Sequence, residues 1–140
     1  MYQIQIQIIT MPDQRQQNCV FCDIIAERND VTVILENSMY MCILDKYPVT
    51  EGHSIVFPKE HIQYLEEAKW NQLNKFLRES MQEVRQLYDP DAMNIGINDG
   101  PEAGQTIPHL HWHVIPRYDG DISDPSGGVR GVIPEKRIYE

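Results

Sequence analysis

Late in the chain, His109, His111 and His113 alternate with Leu110, Trp112 and Val114. A β-strand repeats every two residues, so this spacing sends three imidazoles to one face and three apolar side chains to the other. A polar strand face that holds histidines by chance is the plain alternative. Three of the chain's five histidines at a strict period of two argue against it. Two chemistries use such a row. Imidazoles ligate transition metals, and an imidazole is also a nucleophile at neutral pH, where a reference pKa of about 6.5 leaves it mostly uncharged. The preceding loop, DGPEAGQT, has two glycines whose backbone N–H groups can approach an anion, and it places the donors Gln105 and Thr106 beside the histidines. A phosphate site needs such donors and a metal cage does not.

The rest of the chain narrows the partners. Its 140 residues suit one domain. Twelve Lys and Arg against twenty-one Asp and Glu give a net charge of −9, which repels a nucleic-acid backbone, so any phosphate it binds is small and held locally. No apolar run is long enough for a membrane span, and the N-terminus has no basic stretch followed by an apolar one, so the expected location is cytoplasmic, with neither nucleic acid nor membrane as partner. Cys19 and Cys22 form a C-x-x-C, which in a reducing compartment suits metal or redox chemistry better than a disulfide. Cys42, between Met41 and Ile43, reads as a small buried side chain.

Residues 2–9, YQIQIQII, alternate polar and apolar, and read either as an extra edge strand or as an appendage, since Met11 offers a second start. The boundary is placed after residue 17, with a single domain over 18–140. CVFCDIIAER predicts a short helix at the two cysteines, and VTVILE and MYMCILD a hairpin turning at Asn37–Ser38. HSIVFP gives a third strand. Leu73, Phe76, Leu77, Met81, Val84 and Leu87 recur at three- and four-residue spacing, which predicts one amphipathic helix from about Glu66 to Tyr88, ended by Asp89–Pro90. AMNIGIN and IPHLHWHVIP supply two more strands, with Pro108 denying the last one an N–H and so marking a sheet edge or bulge. The order β-β-β-α-β-β predicts an α+β domain, an antiparallel sheet carrying one long helix and a short N-terminal one. The Gly- and Pro-rich tail from Ser123 to Glu140 reverses the acidic average locally, and no function is read from it.

GQTIPHLHWHVIP resembles the His-x-His-x-His signature of the histidine-triad (HIT) family, and DGPEAGQT is similar to the matching loop of its fragile-histidine-triad branch. CVFCDIIAE, LDKYPVTEGHSIVFPKEH and IND extend the likeness from Cys19 to Arg117 in the right order. The resemblance implies a HIT-like antiparallel sheet with helices, a homodimer, and a small nucleotide substrate attacked at its α-phosphate by His111 to give a nucleotidyl-histidine that water cleaves. It assigns His113 to the non-bridging phosphate oxygens, Gln105 and Thr106 to the phosphate and leaving group, Asp45 to the ribose hydroxyls and Asn98 to ribose or phosphate. Ile43 and Leu44 are assigned to the base pocket, and His53 lies near the site without a role. By their place in the chain, Asp45 and Asn98 also suit turn formation, Gln105 and Thr106 loop capping, and Ile43 and Leu44 plain core.

Some prokaryotic members of the family hold zinc with a C-x-x-C, the histidine of a PK-x-H segment and the first triad histidine. The matching residues are Cys19, Cys22, His61 and His109, a closed tetrahedral set for one structural Zn²⁺ per chain. No residue pattern specifies Mg²⁺, although a phosphate site admits it. The loop leans the substrate toward dinucleoside polyphosphates, which Arg117 and Arg130 can reach, with a nucleoside phosphoramidase or a nucleotide-binding module of little turnover as alternatives.

Overall fold

In the computed structural model, described over residues 18–28 and 30–139, α1 (Val20–Glu27) precedes the strands β1 (Val33–Glu36), β2 (Tyr40–Leu44) and β3 (Ser54–Pro58). Helix α2 (Trp70–Tyr88) then leads to β4 (Ala92–Ile97) and β5 (Trp112–Arg117), and 3-10 turns fill much of the tail. The alternating segment at 2–9 lies outside the described residues. The five strands form one antiparallel sheet in the order β1-β2-β3-β5-β4, the α+β class expected.

The sheet is covered differently on its two faces. Leu73, Phe76, Leu77 and Val84 of α2 pack with Tyr40, Cys42, Val56, Leu110 and Val114. On the opposite face Phe21 of α1 packs with Met41, Ile43, Ile55 and Phe57. Strands β2 and β3 are therefore buried along almost their whole length and apolar except at Ser54, whereas β5 alternates, because α1 does not extend over it. Cys42 is buried as expected, and burial pushes its thiol pKa up to about 12.

Two boundaries depart from the sequence reading. Helix α2 begins at Trp70 rather than near Glu66, because Ala68 is extended and the Glu67 carboxylate caps the Tyr64 N–H at 3.0 Å, closing a separate 3-10 turn over Leu65–Glu67. It ends where predicted, with Asp89 left-handed and its N–H bonded to the Arg85 carbonyl. Strand β5 begins at Trp112, not at Ile107. Ahead of it the His109 N–H turns back to the Ile107 carbonyl at 2.8 Å, and the Leu110 N–H bonds the Ile62 carbonyl at 2.6 Å. Residues 109–111 thus lie outside the ladder, with Leu110 bonded to the segment after β3. Pro108 sits exposed in the bend before β5, which is an interior strand; this replaces the expected sheet edge or bulge. The side-chain alternation survives, since Leu110 enters the α2 core while the Phe21 ring centroid lies 5.5 Å from His109 and 5.0 Å from His111.

Candidate active site and metal centre

The tautomers of His109, His111 and His53 are each set by a backbone group that holds one ring nitrogen. The Nε2 of His109 lies 2.8 Å from the Pro58 carbonyl, which can only accept, so Nε2 carries the proton and Nδ1 keeps its lone pair. That Nδ1 faces Cys19 Sγ at 3.4 Å, Cys22 Sγ at 3.7 Å and His61 Nδ1 at 3.2 Å, and His61 Nδ1 is 3.3 Å from Cys22 Sγ. Three of the four side chains are buried. Tetrahedral zinc with bonds of about 2.3 Å to sulfur and about 2.0 Å to nitrogen requires S···N edges near 3.5 Å and N···N edges near 3.3 Å. The four residues fit that ion. Helix α1 builds half of the site, since Cys19 is its N-cap and accepts the Cys22 N–H. Burial drives the His109 pKa down to about 4 and lowers that of His61, so both rings stay neutral, as ligands must.

The middle histidine is held the same way. His111 Nδ1 donates to the carbonyl of His109 at 2.8 Å, which leaves Nε2 unprotonated. Its ring is largely buried, with the His113 ring centroid 5.3 Å away. His53 has the opposite arrangement. Its Nδ1 accepts the Val49 N–H at 3.1 Å, so its proton sits on Nε2 and is donated to His113 Nδ1 at 2.9 Å. His113 is then protonated on its own Nε2. Gly52 makes this possible: it adopts φ +86° immediately before His53, and a Cβ there would sit 2.7 Å from the Tyr88 ring.

Asp45 Oδ2 lies 3.5 Å from His53 Nε2, while Oδ1 accepts the Tyr47 N–H at 2.8 Å. Burial lowers the pKa of both His53 and His113, against the opposing pull of Asp45. Asp45, His53 and His113 also present three atoms close enough to share a metal. The protons disfavour it: with His53 Nδ1 accepting a backbone N–H, a neutral ring has no lone pair at Nε2 to give.

Asn98 and His113 line one cavity of about 680 Å³. Ile43 is buried beneath α1 as core, and Leu44 at the strand end is half-buried. Gln105 is buried with its amide engaged in the loop: Oε1 accepts the Gly100 N–H, and Nε2 donates to the carbonyls of Gln63 and Ile107. Thr106 beside it is exposed. The arginines expected to reach a polyphosphate are committed elsewhere. Arg117 bonds Asp121 through two nitrogens and Asn94 through the third, and Arg130 bonds the Lys136 carbonyl and stacks on Tyr139. The sequence reading did not name Phe21, which touches two triad rings, although it lies inside the C-x-x-C. The Pro58 carbonyl and Val49 N–H are backbone groups and leave no residue-type signal.

Residues 26–120 match the sequence profile of the HIT domain. The chain belongs to the HIT family. An uncharacterized HIT-like protein of Methanocaldococcus jannaschii is 36% identical over 105 residues, 74% of this chain and 81% of that protein. An adenylylsulfatase of Arabidopsis thaliana is 35% identical over 118 residues, 82% of this chain but 60% of that longer protein. A zinc-bound histidine triad protein of Mycobacterium smegmatis, solved as a crystal structure, is similar to this HIT chain with a TM-score of 0.64 at 36% identity, covering 74% and 78% of the two chains. HIT proteins are in general nucleotide hydrolases and transferases. Among the described residues no helix is long and apolar enough to cross a membrane.

Proposed function

We propose that this HIT protein is a nucleotidyl hydrolase or transferase that cleaves adenine nucleotide derivatives at the α-phosphate through a covalent intermediate on His111. The observation that carries this reading is the 2.8 Å hydrogen bond from His111 Nδ1 to the His109 carbonyl, which fixes the tautomer and leaves the Nε2 lone pair as the attacking group. In the first step Nε2 bonds to phosphorus while the bond to the leaving group breaks, and the leaving group takes the electron pair and a proton from solvent. In the second, water adds to phosphorus and releases a proton to solvent, the P–N bond breaks, and the pair returns to Nε2. His113, with His53 holding its Nδ1, offers Nε2–H to a non-bridging phosphate oxygen. Asn98 contacts the phosphate or ribose, Asp45 the ribose hydroxyls, Leu44 the base, and Thr106 the leaving group. Gln105 serves the site by shaping its loop.

Cys19, Cys22, His61 and His109 are the residues that hold one zinc ion. When bound, the ion supplies a structural cross-link with no open position for substrate. Because His109 is both a ligand and the owner of the carbonyl that holds His111, that cross-link bears on the nucleophile directly. The zinc-bound relative supports this assignment. A homodimer belongs to the same reading on family resemblance, and a cytoplasmic location on the sequence pattern.

The leaving group has two readings. The loop's resemblance favours a second nucleotide joined through a polyphosphate, and the relative named an adenylylsulfatase keeps other adenylyl compounds in view. The phosphoramidase reading is favoured by Arg117 and Arg130, whose guanidinium groups are committed elsewhere and so are not offered to a chain of phosphates. Single-turnover reaction with α-labelled diadenosine polyphosphate and adenosine phosphoramidate, followed by trapping of labelled protein, tests the reading. Label that is present in the wild type and absent in His111→Ala supports it. Turnover without trapped label on either substrate overturns it.

A further inference from the structure

His53 closes a tight turn, and both its backbone and its ring depend on that turn. In Thr50-Glu51-Gly52-His53 the His53 N–H bonds the Thr50 carbonyl at 3.2 Å, and Gly52 at φ +86° holds the third position, as a type II turn requires. Just ahead of the turn, the Val49 N–H meets His53 Nδ1 at 3.1 Å. This stretch of backbone therefore supplies the donor that decides which nitrogen of His53 carries the proton. Through the 2.9 Å contact to His113 Nδ1, it decides the same for His113.

Type I and type II turns differ in the orientation of the central peptide, here Glu51–Gly52. Two side chains hold that peptide. The Tyr118 hydroxyl, one residue past the end of β5, donates to the Glu51 carbonyl at 2.8 Å. The ring of Tyr88, the last residue of α2, lies against Gly52 where a Cβ would come within 2.7 Å of it. The first corner of the turn is held by Thr50, whose hydroxyl donates to the Pro116 carbonyl at 2.6 Å. Thr50 lines the cavity that holds His53 and His113, whereas neither tyrosine does. A hydroxyl bonded to the carbonyl of an exposed residue adds little stability, because water serves that carbonyl nearly as well. What the Tyr118 bond supplies is a direction for the peptide.

A flip of the Glu51–Gly52 peptide displaces the corner between Val49 and His53 and loosens the 3.1 Å bond. Both neutral tautomers of His53 then become available. In the second one Nδ1 carries the proton and Nε2 accepts, so His113 donates from Nδ1 and is left bare at Nε2. A bare Nε2 repels a phosphate oxygen instead of binding it.

The geometry points to Tyr118 as a positioning residue for His113: together with Tyr88 and Thr50 it fixes the turn that sets the tautomers of His53 and His113, so that His113 presents a proton to phosphate. The role rests on the His111 reading for its chemistry and on these contacts alone for its geometry.

The test uses zinc-loaded protein labelled at its histidine nitrogens, where NMR shows directly which ring nitrogen carries the proton, alongside turnover of adenosine 5′-phosphoramidate. Tyr118→Phe removes only the hydroxyl. The expected result is a His53 Nδ1 signal moved toward the protonated form, with kcat lowered about fivefold at unchanged KM and zinc content. In a His53→Ala background the same substitution should change kcat by less than about twofold, since the route through His53 is already cut. Thr50→Val should move the same signal, and Thr50→Ser, which keeps the hydroxyl, should restore it. Tautomers that stay fixed in both Tyr118→Phe and Thr50→Val overturn the proposal, as does a fivefold loss that persists without His53. A lowered unfolding midpoint with the His53 signal unmoved reduces Tyr118 to a structural brace and also rejects it. Should the wild type turn over no phosphoramidate, the His111 reading fails separately, and the NMR signals still decide the positioning role.

Discussion

The two ends of the histidine row use the same side chain for opposite purposes. At the sulfur end, His109 gives its Nε2 proton to the Pro58 carbonyl and turns a bare Nδ1 toward two thiols and His61. At the carboxylate end, His53 receives the Val49 N–H on Nδ1 and passes the proton on Nε2 to His113. One end is therefore shaped for a cation and the other is filled by a proton. His111 stands between them, and its own tautomer is set by the backbone of the first. The difference arises from which backbone group reaches the remote nitrogen.

The largest effect expected is on the nucleophile. His111→Ala should lower turnover by about 10⁴-fold or more while zinc content and the unfolding midpoint stay near wild type. Turnover kept within tenfold would show that the bond to the His109 carbonyl serves structure only, and the comparison above would lose its middle term.

Next comes the sulfur end. Cys19→Ser removes one thiolate ligand while its hydroxyl still offers an N-cap acceptor to α1, so zinc content should fall below one per chain and stability by several kcal/mol through the lost metal, with activity falling as a consequence. Metal analysis after dialysis together with a denaturant midpoint reads both. Loss of activity with full zinc and unchanged stability would move Cys19 from the metal centre to the chemistry.

The carboxylate end should respond more mildly and with a different signature. His53→Ala releases His113 Nδ1 and is expected to reduce kcat by about 10- to 100-fold at unchanged zinc content, with His53→Gln restoring part through its amide donor. A second readout follows from burial, which keeps the folded pKa of both rings below the usual 6.5, opposed by Asp45 and reinforced at His113 by His111. Below about pH 6.5 the unfolded chain binds more protons than the folded one, so stability is lost as pH falls. The variant, with one such ring fewer, should lose less over that window.

How legible this was in the sequence depended on whether a feature is carried by side-chain type or by backbone direction. The alternation of His109 to His113 with Leu110 to Val114 predicted the shared face correctly even though 107–111 leave the ladder, because burial of Leu110 and Val114 against α2 fixes the facing. The C-x-x-C with His61 and His109 was readable as a set, and the four atoms do converge. The start of α2 was misplaced because Leu65–Glu67 carry a helical pattern while the extended Ala68 breaks it. The fate of Arg117 was invisible in sequence, since it depends on the local turn in which the Tyr118 N–H holds the Asp121 carboxylate beside the guanidinium.

Gln105 gives the smallest effect and sharpens the boundary between the two ends. Its amide joins three strands of backbone, the Gly100 N–H and the carbonyls of Gln63 and Ile107, and so ties the loop to the segments just after His61 and just before His109. Gln105→Ala leaves the buried Gly100 N–H and the part-buried Gln63 carbonyl without this partner, while the Ile107 carbonyl keeps the His109 N–H, and should cost about 1–3 kcal/mol in stability. Gln105→Glu separates the two halves of the clamp, because a carboxylate still accepts from Gly100 but offers no proton to the two carbonyls. If the loop clamp is the whole role, both variants lose stability, and kcat falls only as far as His109 and His111 are displaced, with zinc affinity falling in step. A large drop in kcat with stability and zinc affinity intact would instead put the Gln105 amide on the substrate, and the loop would have to open to present it.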